Sequence, residues 1–140
     1  MAEWSANDVQ TVAPGESVVF TSNPAPPKSV LVRHRDESGN FLMRGYGNCP
    51  RGSSIYRVIF NGNIAIPTGG TVGAISIASQ IASDTVPATT AIVTPAAVEE
   101  FFHVSIGFDA QIWNGCCESL SIINTSSQDI LVQNANIIIE

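Results

Sequence analysis

Apolar and polar residues alternate along this chain in short runs, separated by clusters of Pro, Gly, Asn and Ser. A two-residue period marks strands with one buried face, and such clusters mark the turns between them. "ESVVFTS" around Val18 to Thr21 predicts the first clear strand, broken by "NPAPP" at Asn23 to Pro27. "SVLVRHR" places Val30 and Val32 on one face and Leu31, Arg33 and Arg35 on the other. "DESGN" then predicts a hairpin turn and "FLMRGYG" the returning strand. "NCPRGSS" is a loop. "IYRVIFNGNIAIP", Ile55 to Pro67, is one long strand with a bulge or a strand pair turning at Asn61-Gly62-Asn63. Further strands are predicted in "TVGAISIASQI", "ATTAIVT", "FFHVSIGFDA", "ESLSIIN" and "DILVQNANIIIE". In "FFHVSIGFDA", Phe102, Val104, Ile106 and Phe108 face one way and Phe101, His103 and Ser105 the other. The helical candidate is a single turn at "PAAVEEFF", Pro95 to Phe102, with Pro at its first position.

About nine or ten strands spaced every 8–14 residues or so predict an all-β sandwich or barrel of antiparallel strands. The 140 residues suit one domain, residues 13–140, preceded by an arm, residues 1–12, that lacks a firm pattern. Trp4, Val9 and Val12 are the arm's apolar residues. A tryptophan left in water is unfavourable, so Trp4 is expected to dock on a partner or a neighbouring subunit.

Composition changes the picture in one respect. Charged residues make up only 13% of the chain, against 44% hydrophobic, about half the usual ~25% charged share. So little charge predicts that much of the surface is covered, in an oligomer or a lattice. The net charge of −6 argues against nucleic acid as a partner. All six basic residues, Lys28, Arg33, Arg35, Arg44, Arg51 and Arg57, lie between positions 28 and 57. That segment holds only two acids, Asp36 and Glu37, while the rest of the chain holds ten acids and no base; the two regions are either separate solvated faces or complementary halves of a subunit contact. "MAEWSANDVQ" has neither a basic start nor an apolar stretch, and no run reaches the ~20 apolar residues of a membrane span, so synthesis in a cytoplasm and no membrane partner are expected.

Candidate chemistry is sparse. Cys116 and Cys117 are adjacent, and neighbours in a strand point to opposite faces, so they do not readily grip one metal ion. His34, His103 and Cys49 stand at no paired spacing, and no C-x-x-C occurs. Thiols packed as small apolar groups are the favoured reading. A Cys49 bridge to one of the pair is the alternative, and metal or redox chemistry the least supported. "HRDESGN" matches the start of the protein-kinase catalytic loop, but position 41 is Phe where that loop needs Asn. "IPTGGTVG" lacks the P-loop lysine. No G-x-S-x-G elbow is present. Glu99 and Glu100 read as the acidic start of the turn after Pro95, and Asn124-Thr125-Ser126 as a sequon by chance in a loop. No catalytic set, metal site or cofactor is therefore expected. His103 reads as a surface or subunit-facing residue.

"YRVIFNGNIAIPTGGTVGAISIASQI", "TAIVTPAAVEEFFHVSIGF" and "SLSIINTSSQDILVQNANIIIE" together resemble small structural proteins of phages and prophages of gut Firmicutes. Those proteins share a GNIAVPTGG-like stretch, a TPAAV stretch and a terminal VQNANLIVE-like strand, and many carry extra cysteines near the position of Cys49. The Tyr-x-Val-x-Phe strand, the Gly-rich turn and the closing strand after Asn-Thr-Ser also resemble the C1q/TNF-like jelly roll. The resemblance spans roughly residues 10–140. It implies a homotrimer on the virion's capsid surface, as a decoration or head-fibre protein whose partner is the major capsid protein or another virion protein. In that picture the arm is the attachment, and its removal abolishes particle binding while the trimer persists. Tyr56, Phe60, Phe101, Phe102, His103 and Phe108 are the candidates for the threefold seam. The alternative is a module binding host-surface glycan through loops at Asp36–Asn40, Asn48–Ser54 or Asp84–Ala88. Trp113 and Tyr46 are the aromatic candidates there, although each suits burial at a strand end.

Overall fold

The longest alternating stretch of the sequence forms the longest strand. The computed structural model describes residues 2–27, 31–35, 37–45, 52–113 and 117–140. Their strands are, in chain order, β1 (Ala2–Ala6), β2 (Gln10–Val12), β3 (Ser22–Ala25), β4 (Val32–His34), β5 (Phe41–Arg44), β6 (Ser53–Ala65), β7 (Ile75–Ile81), β8 (Asp84–Val93), β9 (Phe102–Trp113), β10 (Cys117–Asn124) and β11 (Ile130–Ile139). In β6 every even-numbered side chain from Ser54 to Ile64 is buried. Asn61-Gly62-Asn63 is therefore no turn, and the strand runs straight through it. Gly62 faces the interior where Phe60 and Ala135 close in, and an added Cβ there would lie 3.0 Å from the Phe60 ring. The irregularity falls on the partner: β11 shifts register between Gln133 and Asn136, with Asn134 at φ 51°.

The strands form two antiparallel sheets. The first runs β3-β1-β11-β6-β9, with β2 also paired to β11, and the second runs β4-β5-β10-β7-β8. One core fills the space between them. Its fully buried members include Phe20, Phe41, Phe60, Met43, Ile64, Ile77, Ile112, Leu120 and Ile122. This is an all-β jelly-roll sandwich: the alternation implied a sandwich or barrel, and the resemblance the jelly roll.

The N-terminal segment corrects the sequence reading. Of the arm expected at residues 1–12, residues 2–12 are not detached. β1 pairs with Ala135 to Ile139 and β2 with Ile130 to Val132, so both lie along the same edge of β11. Between them the chain kinks outward beside the β11 bulge, which leaves Val9 49% exposed while Val12 is buried. Trp4 pairs with Ile137 and is only 2% exposed. Its ring meets Phe41 edge-on at 4.8 Å and His34 at 5.8 Å. Trp4 therefore docks on its own sandwich. The sequence concealed this because residues 7–9 interrupt the alternation between two short strands.

Four smaller expectations also change. Val18 and Phe20 are buried, but "ESVVFTS" forms isolated bridges, Ser17 to Ile123 and Phe20 to Ser38, rather than a strand. The Gln10 amide takes the place of a neighbouring strand, accepting from Val19 N and donating to Val19 O, both at 2.9 Å. "NPAPP" was expected only to interrupt, yet Ser22–Ala25 pairs with β1. Pro24 is tolerated because β3 is an edge strand, where a missing N–H faces away from the ladder. "PAAVEEFF" makes no helical turn: Glu99 sits at φ 58°, and its N–H donates to Ile66 O at 2.7 Å. Finally, the strand expected at "ATTAIVT" begins earlier, so Asp84–Ala88 is strand rather than loop. Ala82 and Ser83, at φ 53° and 69°, make the two-residue hairpin turn into it.

Candidate functional site: two outer sheet faces

The residues singled out from the sequence do not converge. Tyr56 and Phe60 point into the core, where Phe60 is wholly buried. The Tyr56 hydroxyl donates to Arg44 O and so ties β6 to β5 of the other sheet. These two belong to the protomer interior, not to a seam on its surface. Phe108 also faces inward and packs partly against the core, and Phe102 is half-buried in the same phase. Phe101 precedes β9 and is partly exposed. His103 faces out, its Nδ1 3.3 Å from Asn63 Oδ1. Trp113, expected to be buried at a strand end, is 56% exposed at the end of β9. Tyr46, Cys49, Cys116 and most of the Asn48–Ser54 loop lie outside the described residues. Cys117 was expected to be buried and is exposed at the start of β10. Among the described residues, no group of His, Cys, Asp and Glu is arranged to hold a metal ion. Asn124 of the sequon is buried rather than looped out. Its Nδ2 donates to Val12 O at 2.9 Å and Gln128 O at 2.8 Å, and its Oδ1 accepts from Ser126 N at 2.8 Å.

The outer face of the first sheet carries aliphatic side chains in cross-strand register. One row reads Glu3, Ile138, Ile59, Gly107 across β1, β11, β6 and β9. The next reads Ser5, Asn136, Asn61, Ser105. Ile55 stands opposite Gln111 and is 62% exposed, with Trp113 one diagonal step away. Gly107 opens a hollow of about 310 Å³ lined by Arg57, Ile59, Phe108 and Asp109. Arg57 Nε and Asp109 Oδ1 are 3.4 Å apart across it. Both side chains are more than half exposed, so this pair adds little stability. The sequence candidates for a seam were mostly aromatic, whereas the apolar side chains on this outer face include Ile55, Ile59 and Ile138. The signal was present in "SIYRVIF" and "NIIIE", where apolar residues occupy both phases, as in a strand covered on both faces.

The outer face of the second sheet has a different character. β4 is its edge strand, and the His34 ring turns inward to stack on Phe41 at 4.6 Å, while Nε2 lies 2.8 Å from Ser38 O. By the strand period Arg33 and Arg35 then project outward together. Arg33 pairs with Leu42, which pairs with Ser119. Ser121 pairs with Gln80 on β7. These residues, with Asn40 and Ser83, line an open groove of about 500 Å³. With strands ~4.8 Å apart, the groove spans about 10 Å from Arg33 to Ser119. Among the described residues no carboxylate lines it, although the chain has twice as many acids as bases. Neither guanidinium is ion-paired with a described residue. The Ser121 hydroxyl makes only a long bond to Gln80 Oε1, at 3.4 Å.

No family model matches the sequence, and no curated protein matches it. Among solved structures the chain is similar to the globular domain of zebrafish complement 1qA, at 10% identity, covering 98% of this chain and 94% of that one, with a TM-score of 0.56. It is also similar to a family 35 carbohydrate-binding module from an environmental isolate, at 9% identity over 100% and 93% of the two chains, with a TM-score of 0.40. A xylan-binding domain from Paenibacillus barcinonensis is similar at 10% identity over 98% and 85%, with a TM-score of 0.37. The first likeness establishes a C1q-like jelly roll. The other two are too loose to bear on function.

Proposed function

We propose that this chain is a non-catalytic structural subunit that assembles as a homotrimer through the outer face of its first sheet, on the surface of a phage particle. The observation that carries the assembly reading is the apolar patch on that face: half-buried Ile59 and Ile138 beside Gly107, with exposed Ile55 and Trp113 further along. Apolar side chains gathered on an outer sheet face favour a covering surface, and a closed symmetric oligomer offers one. The low charge of the chain supports the same reading. The phage setting is supported by the sequence resemblance of the "GNIAIPTGG", "TPAAV" and "VQNANIIIE" stretches. In it the protein is made in the host cytoplasm and carried on the capsid against the major capsid protein or another virion protein. Attachment through residues 1–12 has no place in this reading, because Ala2–Ala6 and Gln10–Val12 are strands of the sandwich.

Gly107 makes the assembly testable. A Cβ added there meets nothing within 4 Å in its own protomer and the position faces outward, so Gly107→Arg is expected to leave the fold intact while placing a charge in the middle of the covered row. The expected solution mass of the parent by light scattering is three times 14.8 kDa, and that of Gly107→Arg a single chain with an unchanged circular dichroism spectrum. A parent that stays monomeric at high concentration, or a variant that still trimerises, overturns the assembly. Labelled antibody on particles released from an induced prophage tests the location separately, and unlabelled particles rule it out.

A further inference from the structure

We propose that the groove on the outer face of the second sheet binds an acidic saccharide, its carboxylate held by Arg33 and Arg35 and its hydroxyls by Ser119, Ser121, Gln80 and Asn40. Charge selects the class of ligand. Arg33 and Arg35 both line the groove of an acidic protein, with no carboxylate among its described lining residues. A guanidinium is a planar fork of donors that fits a carboxylate, and a pair facing one groove repel each other until an anion arrives.

The floor selects a sugar over a peptide. Leu42 is the exposed apolar side chain beneath the arginines, and Phe41, which also borders the groove, is wholly buried and offers no stacking face. A docked peptide draws most of its affinity from apolar or aromatic anchors in pockets, and no such pocket is present here. What the floor does offer is hydroxyl and amide groups. The Ser119 hydroxyl and the Asn40 side-chain amide have no hydrogen-bond partner among the described residues. Gln80 donates one N–H to Ser83 O at 3.2 Å and accepts the long Ser121 bond. Ser119, Gln80 and Asn40 thus offer donors and acceptors at the groove, with Ser121 buried beneath them at 5% exposure, an arrangement that suits the hydroxyls of a sugar chain lying across the strands. The volume falls within the ~300–1,000 Å³ common for small-ligand sites. The site lies on the sheet opposite the proposed assembly face, so it stands whether or not the protein trimerises.

The carboxylate has two sources, sialylated glycans and uronate polysaccharides, and the test separates them. Isotope-labelled protein is titrated with 3′-sialyllactose, with trigalacturonate and with neutral lactose, each at millimolar concentration, following the backbone amides of Leu42, Gln80, Ser119 and Ser121. At least one acidic sugar is expected to shift these amides, lactose is not, and the responding sugar identifies the source. The double variant Arg33→Ala/Arg35→Ala is expected to weaken that binding at least ten-fold, with an unchanged melting temperature because both side chains are exposed. Raised salt is expected to weaken it as well. No shift with either acidic sugar overturns the proposal, as does equal binding of lactose or undiminished binding by the double variant. A poly-glutamate peptide shifting the same amides at lower concentration than either sugar overturns it in favour of a protein partner.

Discussion

Trp4→Ala separates a strand of the sandwich from an attachment arm. A buried tryptophan removes roughly 150–250 Å² from water, and at ~25 cal/mol per Å² that amounts to about 4–6 kcal/mol. Residual compactness of the unfolded chain trims such figures by roughly 10–40%. The edge contact with Phe41 at 4.8 Å adds about 0.5–1.5 kcal/mol. The expected loss is therefore about 3–5 kcal/mol, in line with measured Trp→Ala changes in cores. With a urea dependence of about 1–3 kcal/mol per molar, the unfolding midpoint falls by about 2 M. The assay is urea unfolding followed by far-ultraviolet circular dichroism, because the substitution removes one of the two tryptophans a fluorescence assay would use. Val9→Ser is the matched control. Val9 lies in the same dozen residues but in the exposed kink, so its midpoint should move within the ~0.5 kcal/mol of ordinary surface changes. Should both variants unfold together with the parent, Trp4 is not core and the burial argument fails.

Two further substitutions probe how the sheets are held. Thr89→Val is expected to cost about 1–3 kcal/mol, measured by the same unfolding assay. It leaves the buried Ser79 N–H, which donates to Thr89 Oγ1 at 2.9 Å, without an acceptor. The near-isosteric shape of valine makes a large packing loss a poor rival explanation. Gly39→Ala is expected to destabilise by about 1–3 kcal/mol, the usual cost of overpacking, because the new Cβ would stand 2.3 Å from Val18 O. Wild-type stability in this variant would mean that the β4–β5 turn can move away from residues 17–18.

The alternation of "YRVIF", "VSIGF" and "ILVQNANIII" made the fold class legible, because each run has one phase that must be hidden. The β6 strand was equally readable, but its continuity through Asn61-Gly62-Asn63 was not. Asn-Gly marks a hairpin locally, and only the pairing of Asn61 and Asn63 with β11 and β9 overrides it. β1 and β3 escaped for a related reason. Both are short and sit near or at a sheet edge: β1 is decided by its pairing with β11, more than a hundred residues away, and β3 in turn by its pairing with β1. The groove was half legible. The phase of Arg33 and Arg35 followed from the period of β4, whereas Ser119, Ser121 and Gln80 reach the same place through pairings across the sheet, which no local pattern announces. His34 carried no signal of its packing role, since its stacking on Phe41 depends on a hairpin closing first.

The two outer faces differ in a way that gives the proposals a joint consequence. The first sheet presents aliphatic side chains in a row, and the second presents arginines over a polar floor. A sandwich separates two such faces by its own thickness, two sheets packed ~10 Å apart. A trimer closed on the first face therefore turns all three grooves outward, with none occluded by a neighbour. One carboxylate-bearing sugar in an open, polar groove binds weakly, because water competes for every hydrogen bond in it. Three grooves fixed on one assembly raise the effective concentration at the second and third contacts, by factors of roughly 10²–10⁴ when the target is polymeric. The joint consequence can be measured. A surface coated with the responding polymer should retain the parent protein far longer than Gly107→Arg, while the two bind the free trisaccharide equally well. Equal retention of both proteins on the polymer would break the link between assembly and binding even if each holds separately.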